Sequence, residues 1–378
     1  MGIGRRPRSC GTAMSMPYAV HLKASFTGRE GVSVHAIALA AAWNRVEGAP
    51  PLLASQANLP PQVEANDAFL EKTIAADRIA DIWIVPASYP LPTPAPERLN
   101  IAHVAFETSR IPHGWISRLF AFDRVWVATE WGRRVLVECG GDETRIDVVP
   151  LGVDPERFSP IGPRATLPET DGRFRFLAVG KYEKRKGYDV LMRAFDEEFA
   201  GRSDVALYVL ASHSELRIDP AAEIRRLGLK SPENVVVLPW IEDPAVLPAL
   251  YRACDALVAP TRGEGWGLPI IEAMACGLPV ITTGWSAHTA FANAGNAVLI
   301  GYDLVPAAPA ATDGAADLGL WAEPRAHELR QAMARLSAAR EEARRLGAAA
   351  ADDVRHRWSW TQAARVSIET LDRTMSRW

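Results

Sequence analysis

Short apolar runs alternate with amphipathic segments along most of the chain. In the first half, apolar or β-branched runs occur at residues 18–24, 79–85, 100–106, 124–128 and 146–150, with helix-like segments at 32–46 and 130–138. After a stretch rich in Pro and Gly, similar runs occur at 174–179, 205–211, 234–238, 255–259 and 278–282, and we expect a helix after each. Strands that alternate with helices predict parallel sheets covered by helices. The pattern therefore predicts an α/β protein with two doubly wound, Rossmann-like domains.

The two blocks set the expected domain boundaries. We expect a disordered leader over residues 1–16, an N-terminal domain over 17–160, a C-terminal domain over 161–355 and a last helix over 356–378 that packs across the domains. Open sheets of this kind bind ligands beyond the carboxyl ends of their strands. The cleft between the domains is therefore the expected site.

The C-terminal tail has a pattern of its own. Residues 323–378 are rich in Ala, Leu, Arg and Glu, which predicts helix, and Gly347 is the expected break. Trp358, Trp360 and Trp378 make the end of the tail aromatic. We expect them to pack the last helix onto the body of the protein, and contact with a membrane interface is the alternative.

Composition narrows the classes of function. The formal charge of −3 gives no global electrostatic reason to bind nucleic acid or an anionic membrane. The four cysteines are scattered, which suits free thiols in a reducing compartment. No apolar run reaches the roughly 18 residues that span a bilayer, and the N-terminus lacks the apolar segment of a secretion signal. We expect a cytoplasmic protein, with peripheral contact at the inner face of the membrane as the alternative.

The densest cluster of candidate chemistry runs from Arg262 to Gly277, after the predicted strand at 255–259. Its alternating glycines let the backbone approach a ligand closely, and Pro269 suits the first turn of a helix. The start of that helix offers unpaired N–H groups and a positive dipole end, which favour an anion such as a diphosphate. Glu264 lies in the loop and Glu272 in an apolar helix, so Glu272 is expected to be buried.

A second cluster runs from Gly180 to Gly187 between a predicted strand and helix. It holds three of the six lysines of the chain. Lys181 and Lys186 lie at the carboxyl end of a strand, where they could neutralise a departing diphosphate. Taken alone, the cluster is more typical of a charged, solvated turn.

These residues carry a resemblance to a known family. The string GEGWGLPIIEAMACGLPVI resembles the signature of the retaining glycosyltransferases of family 4, also called group 1 glycosyltransferases. The segments GKYEKRKGYDVLMRAF and VVPLGVDPERFSP resemble the donor-diphosphate segment and the interdomain linker of that family, and WAEP at Trp321 to Pro324 fits one of its branches. The resemblance implies the GT-B fold, with the acceptor on the N-terminal domain and a nucleotide-diphosphate sugar on the C-terminal one.

The resemblance also implies roles for particular residues. Glu264 would touch the hydroxyls of the sugar and Glu272 the ribose, while Lys186 would contact the diphosphate. Lys181 stands where the family usually has arginine, which keeps the charge but loses the bidentate fork. Backbone groups of the glycine loop would meet the sugar or the phosphate, namely those of Gly265, Trp266, Gly267 and Leu268.

The N-terminal half offers weaker candidates. Gly28 and Gly31 could form a glycine turn that approaches the diphosphate from the other side. Many relatives have a histidine near the sugar, for which His103 is the candidate, although a core histidine fits the pattern equally well. Glu107 is the recurrent polar residue at this place in the branch that the string ETSRIPHGW resembles. We therefore keep both His103 and Glu107 as candidates for the reacting centre.

The reaction expected from the resemblance is transfer of a sugar to an acceptor hydroxyl with retention at the anomeric carbon. The partners would be a nucleotide-sugar donor and a sugar, glycan or glycolipid acceptor, as in polysaccharide assembly, with no nucleic acid. We expect no cofactor and no metal, because the sequence has no Asp-x-Asp pair to hold a divalent ion on the diphosphate. The alternatives are another GT-B enzyme, such as a nucleotide-sugar epimerase or a sugar-phosphate synthase, and a non-catalytic sugar-binding protein of the same fold.

Overall fold

The structure is a computed structural model. It describes residues 18–24, 31–56, 78–86, 93–168, 172–212, 219–239, 241, 243–308 and 317–378.

A parallel six-stranded sheet forms the centre of the N-terminal half. Its strands are β1 (Ala19–Ala24), β2 (Leu52–Gln56), β3 (Ile79–Pro86), β4 (Leu99–Ala105), β5 (Arg124–Val127) and β6 (Ile146–Val148). They lie in the order β2-β1-β3-β4-β5-β6. Three helices of this half are α1 (Gly31–Trp43), α2 (His113–Leu119) and α3 (Glu130–Glu138). All residues of β1 are buried, as expected for a parallel sheet covered on both faces.

A second parallel six-stranded sheet forms the centre of the C-terminal half. Its strands are β7 (Phe174–Lys181), β8 (Val205–Ser212), β9 (Val235–Val237), β10 (Ala256–Ala259), β11 (Val280–Thr283) and β12 (Val298–Ile300), in the order β12-β11-β10-β7-β8-β9. Its helices include α4 (Tyr188–Phe199), α5 (Pro220–Arg226), α6 (Leu247–Ala253) and α7 (Leu268–Ala275). An antiparallel hairpin follows, made of β13 (Tyr302–Pro306) and β14 (Leu320–Pro324). The predicted pair of doubly wound α/β sheets is confirmed.

The tail consists of three helices, and the predicted break at Gly347 is wrong. The helices are α8 (Ala326–Ala338), α9 (Arg340–Arg357) and α10 (Trp360–Met375). Gly347 lies inside α9, where a Cβ atom would come within 2.1 Å of the carbonyl oxygen of Gly277 at the end of α7. The glycine therefore allows two helices to pack closely instead of ending one of them.

The chain returns to the N-terminal domain at its end. Val153 of the linker accepts a backbone hydrogen bond from Trp360 (3.2 Å), and the hydroxyl of Tyr18 donates to Asp372 of α10 (2.8 Å). The ring of Trp360 stacks on His35 of α1, with ring centroids 5.6 Å apart, whereas Trp378 is 47% exposed. None of the helices among the described residues is long and apolar enough to cross a membrane.

Candidate active site

Glu264 lies in the loop that joins β10 to α7, and its side chain is nearly fully buried. Lys186 donates to both oxygens of this carboxylate, at 2.7 Å to Oε1 and 3.0 Å to Oε2. Arg185 donates to Oε2 at 3.3 Å. Burial alone would raise the pKa of Glu264, but Lys186 and Arg185 outweigh it and lower the pKa to about 2. The structure therefore joins the two sequence clusters in one charge-assisted contact.

The turn that carries these cations ends at a glycine that packs closely against the neighbouring loop. Lys184–Lys186 form a short 3₁₀ helix between β7 and α4, which ends at Gly187. Gly187 has φ +72°, and a Cβ atom there would lie 2.0 Å from the carbonyl oxygen of Pro260. Only glycine therefore fits this position without a shift. The close contact packs the cationic turn directly against the loop that holds Glu264.

Arg262 belongs to the same loop and ties it to α4 and β14. It was not singled out from the sequence. Its guanidinium is buried and forms bidentate pairs with Asp189 of α4, at 2.8 and 2.9 Å, and with Glu323 of β14. Burial alone would lower the pKa of Arg262, but these two carboxylates raise it. The WAEP segment thus has a structural role here, because its glutamate holds the glycine loop.

The segment after β11 also surrounds Glu264, through Ser286, Ala287 and His288. These residues were not singled out from the sequence. The backbone N–H of Glu264 donates to Ser286 Oγ at 2.9 Å, and its carbonyl accepts from Ala287 at 3.3 Å. His288 is fully buried, with Nε2 2.7 Å from the carbonyl oxygen of Thr283. Burial lowers the pKa of His288 despite the nearby Glu264 carboxylate. A signal for these residues would have been the position of Ser286 three residues after the end of β11, a strand that neighbours β10.

Glu272 is buried in α7, as the apolar sequence of that helix predicts. Its Oε2 atom accepts a hydrogen bond from the Tyr251 hydroxyl of α6 at 3.1 Å. Burial raises the pKa of Glu272 to about 7, although Tyr251 and Arg157 act in the opposite direction. The two glutamates of the signature therefore have opposite pKa shifts, because one faces two cations and the other a neutral phenol.

The rest of the glycine loop lies at the start of α7. Gly267 precedes the helix with φ +97°, and Leu268 is its first residue. The ring of Trp266 is 4% exposed and packs on Phe291 and Trp358, with centroids 5.0 and 5.6 Å away. The Trp266 side chain therefore anchors the loop in the core, which leaves only its backbone as a ligand-facing group.

The N-terminal domain contacts this loop directly. A Cβ atom on Gly263 would lie 2.2 Å from the carbonyl oxygen of Glu107, and one on Gly265 would lie 3.1 Å from Ala105 Cβ. The Glu107 carboxylate lies 3.8 Å from Arg185 and is 39% exposed. The carboxyl end of β4 therefore closes over the loop, and Glu107 joins the Lys186–Glu264 cluster.

The helix starts of the two domains also face each other. Gly31 is the first residue of α1, and a Cβ atom there would lie 3.9 Å from the side chain of Leu268. Two helix N-termini thus approach the cleft from opposite sides, an arrangement that favours an anion. Gly28 lies outside the described residues.

His103 does not lie in this cluster. It is 2% exposed and packs between His35 and Trp126, with ring centroids 4.6 and 5.8 Å away. Burial lowers the pKa of His103 to about 3, so the ring is neutral at physiological pH. The structure thus gives His103 the surroundings of a core histidine, and its role at the reacting centre stays a prediction.

Lys181 is the last residue of β7, at the same carboxyl edge as the cationic turn. A pocket at this edge is lined by Val179, Lys186, Glu264 and Pro269, among others. Among the residues that the structure describes, no group of three or more His, Cys, Asp or Glu side chains is arranged to hold a metal ion. The charged side chains that line the pocket are those of Lys186 and Glu264.

Solved structures share this architecture. HepE of Anabaena in complex with UDP and glucose superposes with a TM-score of 0.67 over 94% of this chain and 99% of that one, at 15% identity. Sucrose-phosphate synthase of Thermosynechococcus elongatus gives a TM-score of 0.67 over 95% and 99%, at 17% identity. These similarities show the fold, and the chain has the GT-B fold of glycosyltransferases.

Sequence comparison defines the family of the C-terminal domain. Residues 173–317 match the family described as glycosyl transferases group 1. D-inositol 3-phosphate glycosyltransferase of Segniliparus rotundus is 36% identical over 146 residues, which are 37% of this chain and 32% of that protein. The protein of the same name from Mycolicibacterium vanbaalenii is 34% identical over 226 residues, 53% of this chain and 48% of that one. The chain thus matches between a third and a half of the length of these two relatives.

Proposed function

We propose that this protein is a retaining glycosyltransferase that moves a sugar from a nucleotide-diphosphate donor to an acceptor hydroxyl. The observation that carries the proposal is the Lys186–Glu264 contact at the cleft. Both residues lie in the segment that matches the group 1 glycosyltransferases, and the start of α1 from the N-terminal domain approaches the start of α7 beside them. A cationic side chain and helix dipoles stabilise a leaving diphosphate, and an ionised carboxylate accepts hydrogen bonds from sugar hydroxyls.

The diphosphate would bind Lys186, Lys181 and the backbone N–H groups at the start of α7. Lys186 pairs with Glu264 in the structure. Donor binding would turn its ammonium toward the diphosphate, where negative charge develops during transfer. Charge placed at that point is commonly the largest catalytic contribution.

The sugar and the ribose would each meet one glutamate. Glu264 stays ionised at neutral pH and would accept hydrogen bonds from the sugar hydroxyls. Glu272, with its neighbour Tyr251, would accept hydrogen bonds from the ribose. Glu264 precedes α7 and Glu272 lies within it, so a donor that contacts both glutamates would lie along the start of this helix.

The acceptor would approach from the N-terminal domain, near Glu107. The departing phosphate oxygen would take the proton of the acceptor hydroxyl, so the reaction needs no protein base. Closure of the cleft would exclude water, which otherwise hydrolyses the donor. In this proposal His103 lies within β4, behind the groups that meet the substrates at the end of the strand. We also propose that neither a cofactor nor a metal ion takes part.

The comparisons support the class of donor and leave the acceptor open. HepE is described in complex with UDP and glucose, which supports a nucleotide sugar, and the two relatives are named D-inositol 3-phosphate glycosyltransferase. A sugar, glycan or glycolipid acceptor belongs to the same class of hydroxyl-bearing substrates. We also propose a cytoplasmic location, with peripheral membrane contact through the exposed Trp378 as the alternative.

A nucleotide-sugar panel tests the proposal. The purified protein is mixed with individual nucleotide sugars in the presence of chelator, and the donor that raises its melting temperature is then tested for transfer. We expect Glu264→Gln and Lys186→Ala each to abolish transfer while the circular dichroism spectrum stays unchanged. Turnover at the wild-type rate in both variants would refute the site. Interconversion of the free donor without acceptor would favour an epimerase, and donor binding without turnover would favour a sugar-binding protein.

A further inference from the structure

Arg185 connects three parts of the cleft. Its Nη1 atom donates to the Gly263 carbonyl at 2.7 Å and to Glu264 at 3.3 Å, so it contacts both the backbone and the side chain of the glycine loop. Its Nη2 atom pairs with Glu183 of its own turn and lies 3.8 Å from Glu107 of the N-terminal domain. The two terminal nitrogens of the planar guanidinium thus contact different partners, which the single nitrogen of a lysine cannot do.

The backbone of Arg185 is held as firmly as its side chain. Its carbonyl oxygen accepts hydrogen bonds from the N–H of Arg262 at 2.6 Å and from Thr261 Oγ1 at 3.2 Å. The side chain is only 16% exposed. Arg185 is therefore built into the glycine loop, whereas the neighbouring Lys184 has an exposed side chain in the same turn.

Glu264 pairs with two cations in the structure, and the proposed function turns one of them, Lys186, toward the diphosphate. When Lys186 turns to the diphosphate, the buried carboxylate keeps Arg185 as its close cationic partner. An isolated buried carboxylate is costly and takes up a proton. Something must therefore hold Glu264 in place during the reaction, and Arg185 already contacts it.

We propose that Arg185 is a positioning residue that holds Glu264 when Lys186 engages the donor diphosphate, and that Glu107 links this contact to closure of the N-terminal domain. This inference rests on the proposed function. Arg185 itself touches neither the sugar nor the diphosphate.

The charged groups around this contact predict a change in pH dependence. Glu264 faces Lys186 and Arg185 from the cationic turn and neutral His288 from the segment after β11, while Arg185 also faces Glu183 and Glu107. Removal of Arg185 leaves Glu264 with fewer positive charges, so its pKa rises. The acidic limb of the kcat profile should therefore move upward by about one pH unit.

The test compares Arg185→Met, Arg185→Lys and the matched control Lys184→Met in the same turn. We expect Arg185→Met to lower kcat about tenfold or more, to shift the acidic limb upward, and to leave the affinity for the sugar-free nucleoside diphosphate within about twofold. Arg185→Lys should restore the pH limb because it restores the charge, and Lys184→Met should behave as wild type. Lys186→Met should lose nucleoside diphosphate affinity, since that residue contacts the diphosphate.

The outcomes separate this inference from the proposed function. Wild-type protein that neither binds nor turns over any nucleotide sugar would refute the function itself. Transfer by wild type, together with an Arg185→Met variant that has the pH profile and kcat of Lys184→Met, would refute only the positioning role. A loss of nucleoside diphosphate affinity in Arg185→Met as large as in Lys186→Met would make Arg185 a diphosphate ligand and would also overturn it. If Arg185→Met does not fold, the pH limb of Arg185→Lys decides: an acidic limb about one pH unit above that of wild type contradicts the inference.

Discussion

Replacement of Glu272 by glutamine should stabilise the protein at alkaline pH. The carboxyl group is buried, and its pKa rises from 4.5 to about 7 because burial disfavours the ionised form. A shift of about 2.5 pH units at about 1.36 kcal/mol each corresponds to about 3 kcal/mol. Glutamine has nearly the same shape and can still accept the hydrogen bond from Tyr251, but it never ionises.

The sign of the pH dependence follows from the raised pKa. The folded protein holds the Glu272 proton more tightly than the unfolded chain does, so this stabilisation is complete below pH 4.5 and is lost as the pH rises through about 7. The free energy of unfolding of Glu272→Gln should therefore equal or approach that of wild type at pH 4.5. It should exceed the wild-type value increasingly up to pH 7, by about 3 kcal/mol on the alkaline side.

Urea unfolding at several pH values between 4.5 and 8.5, followed by tryptophan fluorescence, measures this difference. Glu156→Gln is the matched control, because that glutamate is exposed and its substitution should leave the pH dependence of stability unchanged. A stability difference between Glu272→Gln and wild type that is the same at pH 5 and pH 8 would show that the carboxyl group titrates normally, and the burial argument would fail.

Two glycine substitutions test close approaches in the fold. Gly347→Ala places a methyl group 2.1 Å from the Gly277 carbonyl oxygen, so it should lower the melting temperature by an amount that corresponds to about 1–3 kcal/mol. The control is Gly114→Ala, where a Cβ atom meets nothing within 4 Å, and it should be neutral or stabilising. Equal effects of the two substitutions would contradict the helix packing. Gly263→Ala places a methyl group 2.2 Å from the Glu107 carbonyl oxygen, so it should lower kcat about tenfold because the domains close less well. Small-angle scattering should show a larger radius of gyration for this variant. An unchanged kcat and an unchanged radius of gyration would refute this contact.

The sequence predicted the parts of the fold that have strong periodic signals. The buried strands of both sheets and the helix at Glu130–Glu138 are found where their apolar patterns predict them. The edge strand Leu52–Gln56 was missed because its short segment LLASQ has no sustained alternation, and Val298–Ile300 was missed because it has only three residues. Gly347 was misread because a glycine inside a helix can serve close packing as well as termination.

The meeting of the two charged sequence clusters could be expected from the sequence, whereas the residues that support this contact could not. The loop and turn clusters each lie at the carboxyl end of a strand, so sequence alone could bring Lys186 and Glu264 to one edge of the sheet. The roles of Arg185 and Arg262 depend on which carboxylates other elements present to them, and no local pattern contains that information. The opposite pKa shifts of Glu264 and Glu272 arise in the same way, from neighbours that lie far away in the sequence.

A structure of the protein with a nucleotide sugar, crystallised in the presence of chelator, tests the central claim most directly. We expect the diphosphate between the two domains, with its oxygens about 3 Å from Lys186 Nζ and from the backbone N–H groups at the start of the helix Leu268–Ala275. A diphosphate bound elsewhere, or one that binds only when a divalent ion bridges it to carboxylates, would refute the proposed donor site.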